Sequence, residues 1–173
     1  MTPNAQNTLR ELAGDFLLRF PILDNSIASL FFSLFGARTN SVEIFYGNLS
    51  LQSRLDCIQA FCDQDAFPFD EEEQEAIKSI LVGTKELQKF RNLLAHHIVL
   101  DTDILVRDRN QPRAAPESNP EKLFVWKTNK KGKYEIKPIT KKEMRVASEN
   151  IIVISANISS FCMQIRARYG LRP

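Results

Sequence analysis

Residues 140–170 read TKKEMRVASENIIVISANISSFCMQIRARYG, and this stretch decides the fold class. Ala147, Ile151, Ile154, Ile158, Phe161 and Ile165 recur at alternating spacings of four and three, which puts them on one stripe of an α-helix. Thr140 and Glu143 form a capping box at its start. In such a box the hydroxyl accepts from one unpaired N–H of the first turn and the carboxylate from another. Gly170 suits the closing position, where the backbone turns left-handed. A helix with so long an apolar stripe must bury it against other helices.

Working outward, three more helical segments carry the same period. Leu9, Leu12, Phe16, Phe20, Leu23, Ile27, Leu30 and Leu34 give the first helix its seam, with a kink or break expected at Pro21 and a cap at Gly36. Asn40 and Glu43 open a second helix with the seam Leu51, Leu55, Ile58 and Cys62, ending before Pro68. Asp70 and Glu71, Glu72 and Glu73 open a third. Carboxylates stabilise the positive end of a helix, so capping is favoured over a metal site there. This helix continues through Ile77, Ile80, Leu81, Leu87 and Leu94 to about Ile98, locally weakened at Gly83.

Before the last helix the composition changes. Residues 104–106, 123–126 and 134–136 are short β-prone runs, the latter two flanking Asn129, Lys130, Lys131 and Gly132 as a hairpin would. Residues 109–120 hold three prolines and little that is apolar, and read as a loop. The expected fold is all-α: an antiparallel four-helix bundle forming one domain over 1–173, with a basic β and loop insertion at 101–139.

The net charge of +2 hides an asymmetry. Residues 107–145 carry 12 Lys or Arg against 5 Asp or Glu, a net of +7, which leaves the rest of the chain at −5. A basic block fits phosphate binding, though from charge alone a solvated lysine-rich loop is the better reading. Lys130, Lys131 and Lys133 are its candidate nucleic-acid contacts. Phe124, Trp126 and Tyr134 lie among these lysines and either stack on bases or pack the hairpin down. Cys57, Cys62 and Cys162 show no metal or disulfide spacing and read as reduced thiols of a cytoplasmic protein. No signal peptide is expected, and the apolar residues 22–35 are too few and too polar to span a bilayer. Nucleotide-binding glycine loops and zinc-protease motifs are absent, so no cofactor and no metal is expected.

One local pattern carries chemistry. Phe90-Arg91-Asn92-Leu93-Leu94-Ala95-His96-His97 sits late in the third helix. Asn92 and His96, four apart, share a face, while Arg91 lies about 140° round the helix from His96. Arg91 also falls within the apolar stripe between Leu87 and Leu94, where a charge must find a partner, reach solvent or face a surface buried by assembly. Arginine matches phosphate oxygens with a planar fork, and histidine transfers protons near neutrality. Cleavage of RNA by its own 2′-hydroxyl needs a base, a charge stabiliser and an acid. A single histidine does not easily serve as both base and acid, whereas two chains related by a two-fold axis would supply two.

Arg91-Asn92-x-x-x-His96 in a helical domain resembles the signature of the HEPN superfamily, and the resemblance covers the chain apart from the insertion. It implies a homodimer with a composite cleft that cuts RNA without metal. Arg91 and His96 would be catalytic there, with Asn92 positioning the histidine or the phosphate. A role as a toxin or defence effector, under an antitoxin or regulatory protein, follows by analogy. Members modified by a partner nucleotidyltransferase carry a tyrosine two residues after the motif histidine. Ile98 stands there in this chain, against that mode of control. The competing reading is a non-catalytic HEPN-like module that binds a nucleotide or a protein.

Overall fold

The computed structural model describes residues 3–35, 40–63, 69–96, 98–100, 122–128 and 134–170. The side chains of 3–7, 40, 96, 98–100, 122–128 and 134–137 lie outside that description. The protein is predominantly helical. In chain order the elements are α1 (Pro3–Phe35), α2 (Asn40–Gly47), α3 (Leu51–Asp63), α4 (Glu71–His96), β1 (Ile98–Leu100), β2 (Lys122–Thr128), β3 (Tyr134–Thr140) and α5 (Lys141–Tyr169). They divide into two compact units. One comprises Met1–Arg19 with Gln88–Glu149, the other Phe20–Leu87 with Asn150–Pro173.

In the first unit, Leu9 and Phe16 of α1, Leu93 and Leu94 of α4, Ile139 of β3 and Met144 and Ala147 of α5 are buried. Each of the larger of these side chains contributes about 1.5–3 kcal/mol when fully removed from water, before entropy is subtracted. Phe90 meets Phe16 edge-on, with ring centroids 5.1 Å apart and planes at 86°. The three strands form an antiparallel sheet in the order β1-β2-β3. Ile98 pairs with Trp126, and β2 pairs with β3 from Lys122–Thr140 to Thr128–Tyr134. Thr140 ends β3 and also caps α5. Its Oγ1 accepts from the Glu143 N–H at 3.1 Å, and the Glu143 carboxylate accepts from the Thr140 N–H at 2.7 Å.

In the second unit, α5 sets Ile151, Ile158, Phe161 and Ile165 into the core with Leu23, Ile27, Leu30 and Phe31 of α1. Leu55 and Ile58 of α3 join them, as do Ile77, Ile80, Leu81 and Leu87 of α4. Helix α4 runs antiparallel to α5, since Arg168 pairs with Glu73 while Gly83 faces Ile154. Its start is a reciprocal box: the Glu73 N–H donates to Asp70 Oδ1 at 2.9 Å, and the Asp70 N–H to Glu73 Oε2 at 3.1 Å. Gly170, with φ +64°, closes α5.

Several expectations need correction. Helix α1 is not broken at Pro21, because the buried residues Leu23 and Ile27 after it continue the stripe of Phe16 before it. Thr8–Phe35 is therefore long and apolar enough, by length and composition, to cross a bilayer, as is Lys141–Tyr169. Both also bury one face, as core helices do. The second expected helix is two helices. Asn48 ends α2 by donating from Nδ2 to the Ile44 carbonyl at 2.8 Å, and Ser50 caps α3 by accepting the Ser53 N–H at 3.1 Å. This extra reversal is why α1 and α5 run in the same direction in the second unit, Asn25 lying beside Ile158 and Ser33 beside Arg166, against a strict antiparallel order. Finally, α4 stops at His96 rather than Ile98, because the β-prone run Ile98–Leu100 pairs with β2 instead.

Gly83 does not interrupt α4. A Cβ there would sit 2.6 Å from Ile154 Cδ1, so the missing side chain is what admits α5 at that point. The stretches 101–121 and 129–133, which hold the expected strand at 104–106 and the proline-rich loop, lie outside the described residues, as does Gly36.

Candidate functional site

The last two turns of α4 carry the motif, and their anchoring is apolar. Leu93 and Leu94 are buried, and Phe90 rests against Phe16. Those three contacts fix the rotation of the helix about its axis. Arg91, one residue after Phe90, is half-buried on the flank of this apolar stripe, and Asn92 is exposed. The Arg91 guanidinium donates from Nη1 to Asn92 Oδ1 at 3.2 Å. This bond lets Asn92 orient the arginine; its expected role, positioning the histidine or the phosphate, involves His96, whose side chain lies outside the described residues. With its carbonyl oxygen held by Arg91, the Asn92 amide turns its N–H donors elsewhere.

His96 is the final residue of α4, and its side chain lies outside the described residues, as does all of His97. The backbone places His96 at the junction where the helix gives way to β1, with one residue between them. Arg91 and Asn92 are thus brought together, and His96 follows on the next turn. Lys130, Lys131 and Lys133 lie outside the described residues, and so do the side chains of Phe124, Trp126 and Tyr134. Among the described residues, no three His, Cys, Asp or Glu side chains are grouped to hold a metal ion.

Three polar clusters of the second unit escaped the sequence reading. Arg54 of α3 donates to Asp24 Oδ1 at 2.9 Å and to the Tyr46 hydroxyl at 3.1 Å, and stacks over the Tyr46 ring at 3.9 Å. Burial pushes the Tyr46 hydroxyl up to about 12, Arg54 opposing the shift and Asp24 adding to it. Arg168 and Tyr169 of α5 bond the capping carboxylates of α4, Arg168 to Asp70 and Glu73, and Tyr169 to Glu73 at 3.0 Å. The Asp70 carboxyl is held below its ordinary value by the Glu73 N–H first and by Arg168 next. Asp24, set within an apolar run, was the one sequence signal that a partner had to exist.

The third cluster borders a cavity of about 280 Å³ between α1 and α5. Asn25, Ser26 and Ser29 line it from α1, and Ile158, Ser159, Cys162, Met163 and Arg166 from α5. Arg166 donates from Nη2 to Ser33 Oγ at 2.9 Å. All three cysteines are free thiols. Burial raises the Cys162 thiol, while Ser33 and Arg166 pull it down. Cys62 is pushed up to about 11, by burial and then by Asp63, so it stays protonated at neutral pH.

Comparison with known proteins yields no match: no protein-family model, no curated protein and no solved structure aligns significantly with this chain.

Proposed function

We propose that this protein is a metal-independent endoribonuclease of HEPN type, a helical domain over 1–173 with a β insertion before its last helix. The observation that carries the reading is Arg91-Asn92-x-x-x-His96 at the end of α4, with the guanidinium held by the adjacent amide at 3.2 Å. A charge aimed by its neighbour on a helix fixed by buried Leu93 and Leu94 is pre-organised for a phosphate, which is where electrostatic catalysis draws its strength.

In this mechanism His96 takes the proton from the 2′-hydroxyl, the oxygen attacks the adjacent phosphorus, and the 5′-oxygen leaves with a proton. Arg91 stabilises the negative charge growing on the phosphoryl oxygens. Asn92 keeps the guanidinium in plane with them. The second proton transfer falls to His96 of the other subunit in a homodimer with a composite cleft. Lys130, Lys131 and Lys133 extend the phosphate contacts along the RNA. The setting is cytoplasmic and non-membrane, as a toxin or defence effector restrained by an antitoxin or regulatory protein.

The test is cleavage of a broad RNA panel in excess EDTA by the wild type and by His96→Ala. Cutting that persists in EDTA and vanishes in a folded His96→Ala variant supports the enzyme. A folded wild type that binds RNA and cuts none of it returns the site to a binding role.

A further inference from the structure

The cavity between α1 and α5 combines a cation with a hydrogen-bonding wall that the protein itself leaves incomplete. Arg166 has a single hydrogen bond among the described residues, to Ser33 Oγ, and no carboxylate partner among them. Its Nε is shut away from solvent and has no acceptor there. Ser33 cannot neutralise the charge, and its own proton is committed to the Ser29 carbonyl at 2.7 Å. Among the described residues, no acidic side chain lines the cavity. A guanidinium in this position, positive and short of acceptors, is worth most to a ligand that brings oxyanion oxygens.

The other groups sort by what they still offer. The Asn25 amide and the Ser159 hydroxyl have no side-chain partner among the described residues and can donate. Ser26 and Ser29 already donate to the carbonyls of Ile22 and Asn25, at 2.9 and 3.1 Å, so each presents lone pairs to the cavity. Those lone pairs accept from ligand hydroxyls. The volume of about 280 Å³ exceeds what one phosphate fills and leaves room for a short hydroxylated body.

We infer that the Arg166 cavity is a binding site for a phosphate-type oxyanion, free or carried by a small hydroxyl-bearing molecule. Arg166, Asn25 and Ser159 hold the anion, and Ser26 and Ser29 take the hydroxyls. The site shares no residue with the motif of α4 and stands or falls independently of the ribonuclease reading.

Calorimetric titration of the full chain with inorganic phosphate, glycerol phosphate and glycerol, at constant ionic strength, tests it. Saturable one-to-one binding of a phosphate probe is expected, with glycerol inert and affinity lowered at least about tenfold in Arg166→Gln. Tighter binding of glycerol phosphate assigns the ester as ligand; equal binding assigns the free anion. Asn25→Asp, a change at an exposed position, brings a carboxylate to the cavity and should abolish binding even where Arg166→Gln fails to fold. Arg168→Gln, two residues along α5, should bind as the wild type does. Absence of saturable binding in the wild type, or binding unchanged in both Arg166→Gln and Asn25→Asp, overturns the site.

Discussion

Arg91 and Arg166 are both half-buried arginines on long helices, and they are held in opposite ways. Arg91 bonds to the next residue in the chain, a contact that neighbouring letters of sequence can supply. Arg166 bonds to Ser33, 133 residues away, and faces a cavity built from two helices that no local pattern joins. A short motif shows residues that one helix brings together. A site assembled by packing leaves no such mark.

The largest effect on turnover should come from the motif. Arg91→Lys keeps the charge and loses the planar fork that Asn92 aligns. Turnover should fall about tenfold to a hundredfold with RNA affinity nearly unchanged, read by single-turnover cleavage beside equilibrium binding. Equal losses in both would make Arg91 a binding residue only.

Phe16→Ala comes next. It removes a fully buried ring and the edge contact that seats Phe90, so stability should drop by about 3–5 kcal/mol in urea unfolding. Cleavage per folded molecule should drop with it, since the motif turn loses its anchor. A variant as stable as the wild type would show that the Phe16–Phe90 contact is not what fixes the motif.

At Gly83, in the second unit, the response should be confined to stability. Gly83→Ala gains about 1 kcal/mol of helix propensity but meets Ile154 Cδ1 at 2.6 Å, so the single change should be close to neutral. Adding Ile154→Val deletes that methyl, and the double variant should be more stable than Ile154→Val alone by about 1 kcal/mol. Cleavage should not change. Simple additivity of the two substitutions would mean that Gly83 is not the point of close approach.

One further effect on stability appears only in alkali. Tyr46 holds its proton more tightly folded, to about 12, than the ordinary tyrosine value of 10.0. Its contribution is therefore complete below pH 10 and is lost as pH rises from 10 to about 12. Tyr46→Phe should flatten that part of the stability profile, and an unchanged slope would contradict the burial argument.

What the sequence made legible follows the same division. The α5 stripe and its Thr140–Glu143 box were plain, because period and capping are local, and so was the Asp70–Glu73 box. Gly47-Asn48 and Ser50 carried turn and cap signals for the break between α2 and α3. The expected single helix from Asn40 to before Pro68 did not use them. Pro21 does not break α1, whose buried stripe resumes at Leu23 and Ile27 beyond it. The end of α4 could not be read locally, because β1 exists only by pairing with residues 124–126. Of the site, Arg91, Asn92 and His96 were legible as a motif, while the bond from Arg91 to Asn92 needed the structure.

The central claim is that His96 and Arg91 drive attack by the RNA's own 2′-hydroxyl, and the ends of the products test it most directly. Cleavage in EDTA should leave a 2′,3′-cyclic phosphate and a 5′-hydroxyl, and a single 2′-deoxy substitution at the cut site should block cutting there. Products bearing a 5′-phosphate, or unimpeded cutting at the deoxy position, would mean that water is the nucleophile and would contradict the account.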